Sequence, residues 1–392
     1  MYISKLNMAT KIVGVAIFIA IVLLQIYVPS IFIFCLLVFS ASLFLFYQLA
    51  RPQLIHWLFF FVFFSLMSLL WAENYDSAYG NSLTLLSNFL IAVCISGLCK
   101  NESEFRLLGS YIFLSIFALQ VAMFYEVGTL FPSEGRYAPL LLNENMYAFF
   151  LILGLIFLGF ISLDRKLPIE KRIFVFLLYL FLVYQVAFVS GSRKGLVIVT
   201  LISVLLCMFH VKSSRGEKKL LLFVLGAVIL FTVLIMISKS EHFQRLVEAL
   251  QFAKGDSVEE KSVIQRSSMI EVGIQLFLEK PIWGWGLYQY RYVSGLEAYS
   301  HSNIIEVLAN HGLIGWFSYC SYYLIVIMAY LTRRRQISYP LRYLFWSAFI
   351  SALSWEIAAV TYVDNPMHWL LLGVLSGVAS KKNLQKKVCQ FG

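Results

Sequence analysis

Charge is what this chain has least of. Asp, Glu, Lys and Arg together make up 13% of its 392 residues, against about 25% in an ordinary soluble protein. Hydrophobic residues reach 60% and aromatics 17%, with a mean hydropathy of +0.80. No water-soluble shape of this length hides so much apolar surface, which excludes a set of two or three soluble domains. The six cysteines, Cys35, Cys94, Cys99, Cys207, Cys320 and Cys389, form no CxxC pair. Neither a disulfide framework nor a zinc site is expected from them. Residues 12–28 are apolar after Lys5 and Lys11, but no small-residue cleavage site follows and further apolar runs do. That pattern argues against a removed signal peptide. Asp76, Asp256 and Asp364 stand isolated, so no outer loop carries an Asp-x-Asp. No repeat relates the two halves of the chain, and the polar residues do not collect at the middle of broken helices as they do in many transporters.

What is present is a series of apolar runs. Crossing about 30 Å of hydrocarbon takes about 20 apolar residues as a helix. Twelve candidates occur, at roughly 12–28, 30–50, 54–71, 85–99, 107–131, 146–163, 173–189, 195–211, 220–238, 306–332, 343–361 and 366–380. The expected fold is therefore an all-α integral membrane protein with about twelve transmembrane helices. Residues 1–238 hold spans one to nine, 239–305 form one larger non-cytoplasmic segment containing a helix, and 306–392 hold the last three spans and a basic tail.

The excess of cations, 31 against 21 acids, reads as the positive-inside rule rather than as nucleic-acid binding. With Lys5 and Lys11 inside, 21 of the 31 cations fall on the cytoplasmic side. The ten that remain, Arg136, Arg193, Lys194, Arg266 and Arg291 among them, fall in three non-cytoplasmic segments. Cations placed against this bias call for a reason, and an anionic ligand at the outer face is one.

Three stretches carry candidate chemistry. Ser190-Gly191-Ser192-Arg193-Lys194-Gly195 is a small-residue turn opening the eighth span. A helix N-terminus with two adjacent cations suits a diphosphate, although both side chains also suit snorkelling to headgroups. Arg136 lies in the outer loop 132–145, with Asn143 and Asn145 entering the sixth span, and Arg266 lies on a helical pattern from about 262 to 279 that Pro281 stops. Arginine binds phosphate oxygens with a two-pronged fork, which lysine cannot do. Trp283-Gly284-Trp285-Gly286 suits the membrane interface and also the apolar faces of sugar rings. The third stretch is His301-Ser302-Asn303-Ile304-Ile305-Glu306 with Asn310-His311-Gly312. On a helix His301, Ile305 and Leu308 would share a face, and Asn303 would meet Glu306. His301 is the one side chain there that titrates near neutral pH. Glu126 and Glu356 lie at or within spans, where an acid is either functional or held in an ion pair.

The Arg193 turn, the Arg266 helix about 70 residues on, and His301-Ser-Asn-Ile-Ile-Glu306 followed by Gly312-Leu-Ile-Gly315 together resemble the O-antigen polymerase and O-antigen ligase superfamily, membrane glycosyltransferases of the GT-C type. The resemblance implies a GT-C-like fold and a donor glycan on undecaprenyl diphosphate at the outer face of the bacterial inner membrane. It also implies inversion at the anomeric carbon without a metal or other cofactor. By the same resemblance Arg193 and Arg266 bind the diphosphate, with Lys194 and Arg136 as neighbours, and His301 activates the acceptor hydroxyl, with Glu306 in support. Implied partners are the lipid-linked oligosaccharide, membrane lipids and a chain-length regulator protein, and no nucleic acid. The turn and the Glu306-to-Gly315 stretch look more like polymerases, which extend a lipid-linked repeat unit, than like ligases, which transfer to lipid A-core. A transporter without chemistry is the alternative of a different class. A membrane protease built on Ser190, Ser192 and His301 is a third.

Overall fold

The computed structural model describes residues 54–99, 102–131, 137–139, 143–164, 166–213, 261–358 and 361–380. The spans expected at 12–28, 30–50 and 220–238, and Arg136, lie outside the described residues. Within them every regular element is helical. In chain order these are α1 (His56–Met67, ending in a 3-10 turn Ser68–Leu70), α2 (Tyr75–Leu98), α3 (Glu102–Val127), α4 (Glu144–Ser162) and α5 (Ile169–Tyr184, running into a π-turn Gln185–Val189). There follow α6 (Arg193–Ser213), α7 (Lys261–Glu279), the short α8 (Tyr290–Val293), α9 (Asn303–Arg333), α10 (Tyr339–Ala358) and α11 (Pro366–Ala379).

Among the described residues six helices are long and apolar enough to cross a membrane: α2, α3, α4, α5 with its π-turn, α6 and α9. Two more, α1 and α11, are apolar but shorter. The chain is accordingly a multi-pass membrane protein. Burial separates the helices into two kinds. Residues 147–160 of α4 are buried without exception, with α3, α5, α6 and α10 packed around them. All of α11 is buried as well, against α2, α10 and α9. Its 14 residues span about 21 Å at 1.5 Å each, less than the hydrocarbon thickness. A helix enclosed by protein has no lipid thickness to match. The outer helices show a lipid-like face instead: Phe59, Phe60 and Phe63 on α1, and Phe117, Val121 and Phe124 on α3, are exposed.

The helix expected from about 262 to 279 is α7, and its register is set by close packing on α9. A Cβ on Gly273 would lie 2.3 Å from the Ile305 side chain, so only glycine lets the two helices meet there. The Tyr290 hydroxyl donates to the Met269 carbonyl at 2.6 Å, and the Trp285 indole donates to that of Leu276 at 2.9 Å. The span expected at 85–99, the fourth, begins ten residues earlier than its hydropathy indicates, at Tyr75 of α2, because Asn74 accepts from the Ser77 N–H and caps it.

Candidate functional site

The site is assembled where α6, α7 and α9 begin, and a break in α9 shapes it. Gly312 has φ 59° and ψ −159°, which interrupts the helix. The chain segment after α7 enters the gap. Leu313 and Ile314 donate their N–H groups to the carbonyls of Pro281 and Ile282 (2.8 and 3.3 Å), while Trp285 and Gly286 donate to those of Ala309 and Asn310 (3.0 and 2.7 Å). Backbone groups freed by the break are thus satisfied by another segment, as an apolar environment demands. A Cβ on Gly284 would lie 2.4 Å from the Asn310 backbone, and one on Gly312 2.4 Å from the Ile282 carbonyl. The tryptophan–glycine stretch and the Gly312-Leu-Ile-Gly315 stretch are therefore two halves of one joint. Asn310 completes it by accepting from the Tyr290 N–H at 2.7 Å. His311 is buried beneath, its Nε2 2.7 Å from the Tyr362 hydroxyl and 3.2 Å from Ser65.

α6 starts at Arg193 because Ser192 caps it, accepting from the Gly195 N–H at 3.1 Å and donating to Asn145 at 2.7 Å. Gly191 supplies the left-handed turn before it, φ 56°. Ser190 donates to the Val186 carbonyl. Both serine hydroxyls are engaged in building the turn. Arg193 and Lys194 are left partly exposed.

His301 is not on the helix. It precedes the N-cap Ser302, with φ 59°, and α9 begins at Asn303. The helical face expected for His301, Ile305 and Leu308 is thereby corrected: the left-handed residue turns the imidazole off the helix axis. Its ring meets that of Tyr299, with centroids 4.3 Å apart. It is half-buried, and burial, then the charges of Arg266 and Lys194, push its pKa down to about 4. At neutral pH the imidazole is uncharged and able to accept a proton. Lys194 also lies within electrostatic reach of Arg193 and Arg266. Lys194 and Arg266, far apart in sequence, thus both act on His301, and Arg193 stands beside Lys194. Glu306 sits in the first turn of α9, buried, accepting from the Ser300 N–H at 3.4 Å. Beside it lies Thr361 of the α10–α11 loop.

Two side chains escaped the sequence reading. Arg291, on α8, was counted among the ten non-cytoplasmic cations but given no role, and Asp364 stood alone. They form an ion pair at 2.9 Å across 73 residues. Nothing in local spacing links them. Glu126, near the end of α3, accepts from the Tyr137 hydroxyl. Among the described residues no group of three or more His, Cys, Asp and Glu converges as a metal site.

Residues 178–320 match the model of the O-antigen ligase family. The matched region runs from the second half of α5 past the break in α9, so it contains Arg193, Lys194, Arg266, Arg291, His301 and Glu306. The match supports the O-antigen ligase and polymerase superfamily, whose members are glycosyltransferase-like enzymes. No curated protein matches the chain.

Proposed function

We propose that the protein is an inverting, metal-independent glycosyltransferase of surface-polysaccharide assembly, acting as an O-antigen polymerase at the outer face of the bacterial inner membrane. The observation that carries the reading is the common environment of Arg193, Lys194, Arg266 and an uncharged His301. Glycosyl transfer from a lipid diphosphate needs little else. The acceptor oxygen attacks the anomeric carbon, the bond from that carbon to the phosphate oxygen breaks, and the acceptor's proton passes to His301. The diphosphate leaves with the bonding electrons, and the guanidinium groups stabilise its added charge, the part a metal plays elsewhere. Arg136 belongs to the same loop set by sequence. Glu306 supports the pocket wall beneath His301. In this scheme the donor is a glycan on undecaprenyl diphosphate, and the fold is of GT-C type. The polar end of the bundle faces the periplasm, and a chain-length regulator is a partner.

The family description favours a second reading, a ligase that transfers the glycan to lipid A-core. The lipopolysaccharide of a deletion strain separates the two. Core bearing a single repeat unit supports the polymerase, and bare core supports the ligase. An unchanged ladder, together with no transfer by purified protein in lipid vesicles, would refute both and favour a transporter.

A further inference from the structure

We infer that Tyr288, Arg291, Tyr299 and Asp364 form the subsite for the acceptor sugar, on the flank of His301. The inference rests on the reading of His301 as the residue that takes the acceptor's proton. Arg291 donates to Asp364 Oδ2 at 2.9 Å, and the Tyr288 hydroxyl donates to the same oxygen at 3.1 Å. The guanidinium lies over the Tyr288 ring at 4.4 Å and over the Tyr299 ring at 5.2 Å. Tyr299 in turn meets His301 at 4.3 Å. The group therefore ends on the imidazole.

Three features mark it as a binding surface rather than a strut. First, the ion pair is single-pronged. Arg291 and Tyr288 both contact the carboxylate at Oδ2, and the buried Arg291 Nε has no hydrogen-bond partner. An arginine whose task is to tie two loops together makes the stronger two-pronged contact. Second, the pair is open: the Arg291 and Asp364 side chains are 26% and 32% exposed. Third, the segment that carries Tyr288, Arg291 and Tyr299 is strained. Tyr288, Glu297 and His301 all have left-handed φ, at 63°, 50° and 59°. Residues other than glycine rarely adopt this conformation, and it gathers at functional sites.

The chemistry fits a sugar and not a second phosphate. Arg291 brings its own counter-charge, so the pair has no net attraction for a dianion. A carboxylate accepts from sugar hydroxyls, a guanidinium donates to them, and a tyrosine face covers the apolar C–H face of a ring. A sugar stacked on Tyr299 presents a hydroxyl to the neighbouring imidazole, while Arg266 and Lys194 act on His301 from the donor side.

The test uses the full chain in lipid vesicles with lipid-linked oligosaccharide extracted from the source cells. Undecaprenyl diphosphate without glycan serves as a competitor that probes only the diphosphate subsite. Asp364→Asn, Arg291→Lys and Tyr299→Leu should each raise the KM for the oligosaccharide about tenfold or more, the value of a charge-assisted hydrogen bond or a stacked ring. Saturated turnover should change less than about threefold, and inhibition by undecaprenyl diphosphate should stay as in wild type. Tyr299→Phe keeps the ring and should keep the KM, which leaves a test standing if Asp364→Asn does not fold. Lower turnover at an unchanged KM, or weaker inhibition by undecaprenyl diphosphate, would overturn the subsite. Unchanged inhibition in Arg266→Ala is a different outcome: it defeats the diphosphate reading and not this one.

Discussion

In the interior of the bundle, past the break in α9, lies a second polar cluster. Glu356 of α10 accepts from Tyr319 and Tyr323 of α9, both at 2.6 Å, and lies 2.7 Å from His368 of α11. All four side chains are buried. The cluster around His301 uses the same residue types on contrary terms. It is partly exposed and its backbone is strained. An intramembrane acid is a functional candidate by default, and Glu356 qualified on sequence. Its surroundings give the other outcome: it holds three helices together. The difference is access, since a polar group that a substrate cannot reach contributes through its protein partners alone.

Removing one partner from each cluster sharpens the contrast. Glu356→Ala leaves His368 and two tyrosine hydroxyls buried without their acceptor, a loss of about 3–5 kcal/mol of stability. Thermal unfolding in detergent should show it, while transfer per folded molecule stays near wild type. A stable Glu356→Ala variant with no transfer would reverse the assignment and make the inner cluster catalytic.

Arg266→Ala is expected to do the opposite. Transfer should fall about 10²–10³-fold, as when a donor to developing charge is removed, with the unfolding temperature little changed. Arg193→Ala should match it, and Lys at either position should recover only part, lacking the fork. Wild-type transfer in Arg193→Ala would remove the diphosphate site from the α6 turn.

These residues were legible because they break a global rule: cations on the side where cations are scarce need only a hydropathy count to be noticed. The helix 261–279 was legible through its periodicity and Pro281. The joint at Gly312 was not, since the glycines of 284 and 312 reveal their purpose only when the two segments interlock. The Arg291–Asp364 pair was invisible for the same reason, being made between loops far apart in sequence. The off-helix position of His301 was misread because nothing in its identity announces a left-handed backbone.

The joint offers a smaller effect with an internal control. Gly284 and Gly295 both have left-handed φ, 68° and 67°, but a Cβ on Gly295 meets nothing within 4 Å. Alanine at either position costs the conformational penalty, about 1–2 kcal/mol. At Gly284 the added methyl also strikes the Asn310 backbone, which should add about 1–3 kcal/mol. Unfolding temperatures of the two variants give the difference directly. Equal losses would mean that the break in α9 does not depend on the inserted segment.

The smallest expected effect is a shift in pH profile, and it probes the half-exposed cluster alone. His301 titrates near pH 4, lowered first by burial and then by Arg266 and Lys194. A base must be neutral, so kcat/KM, which reports the free enzyme, should rise through about pH 4 and then level off. Lys194→Gln removes one of the charges that disfavour the imidazolium, so the folded pKa moves up toward the ordinary value. The acid limb should move the same way, by less than about one unit, because burial and Arg266 remain. At pH 5 the variant then keeps a smaller fraction of its own plateau than wild type keeps of its plateau. A nearby carboxylate titrating in the same range would shift in the same direction, so the profile of His301→Gln decides between them. If the histidine is the base, its limb disappears and low residual transfer remains. A limb that survives near pH 4 in His301→Gln at full turnover would assign the titration to another group and leave His301 as a wall of the acceptor site.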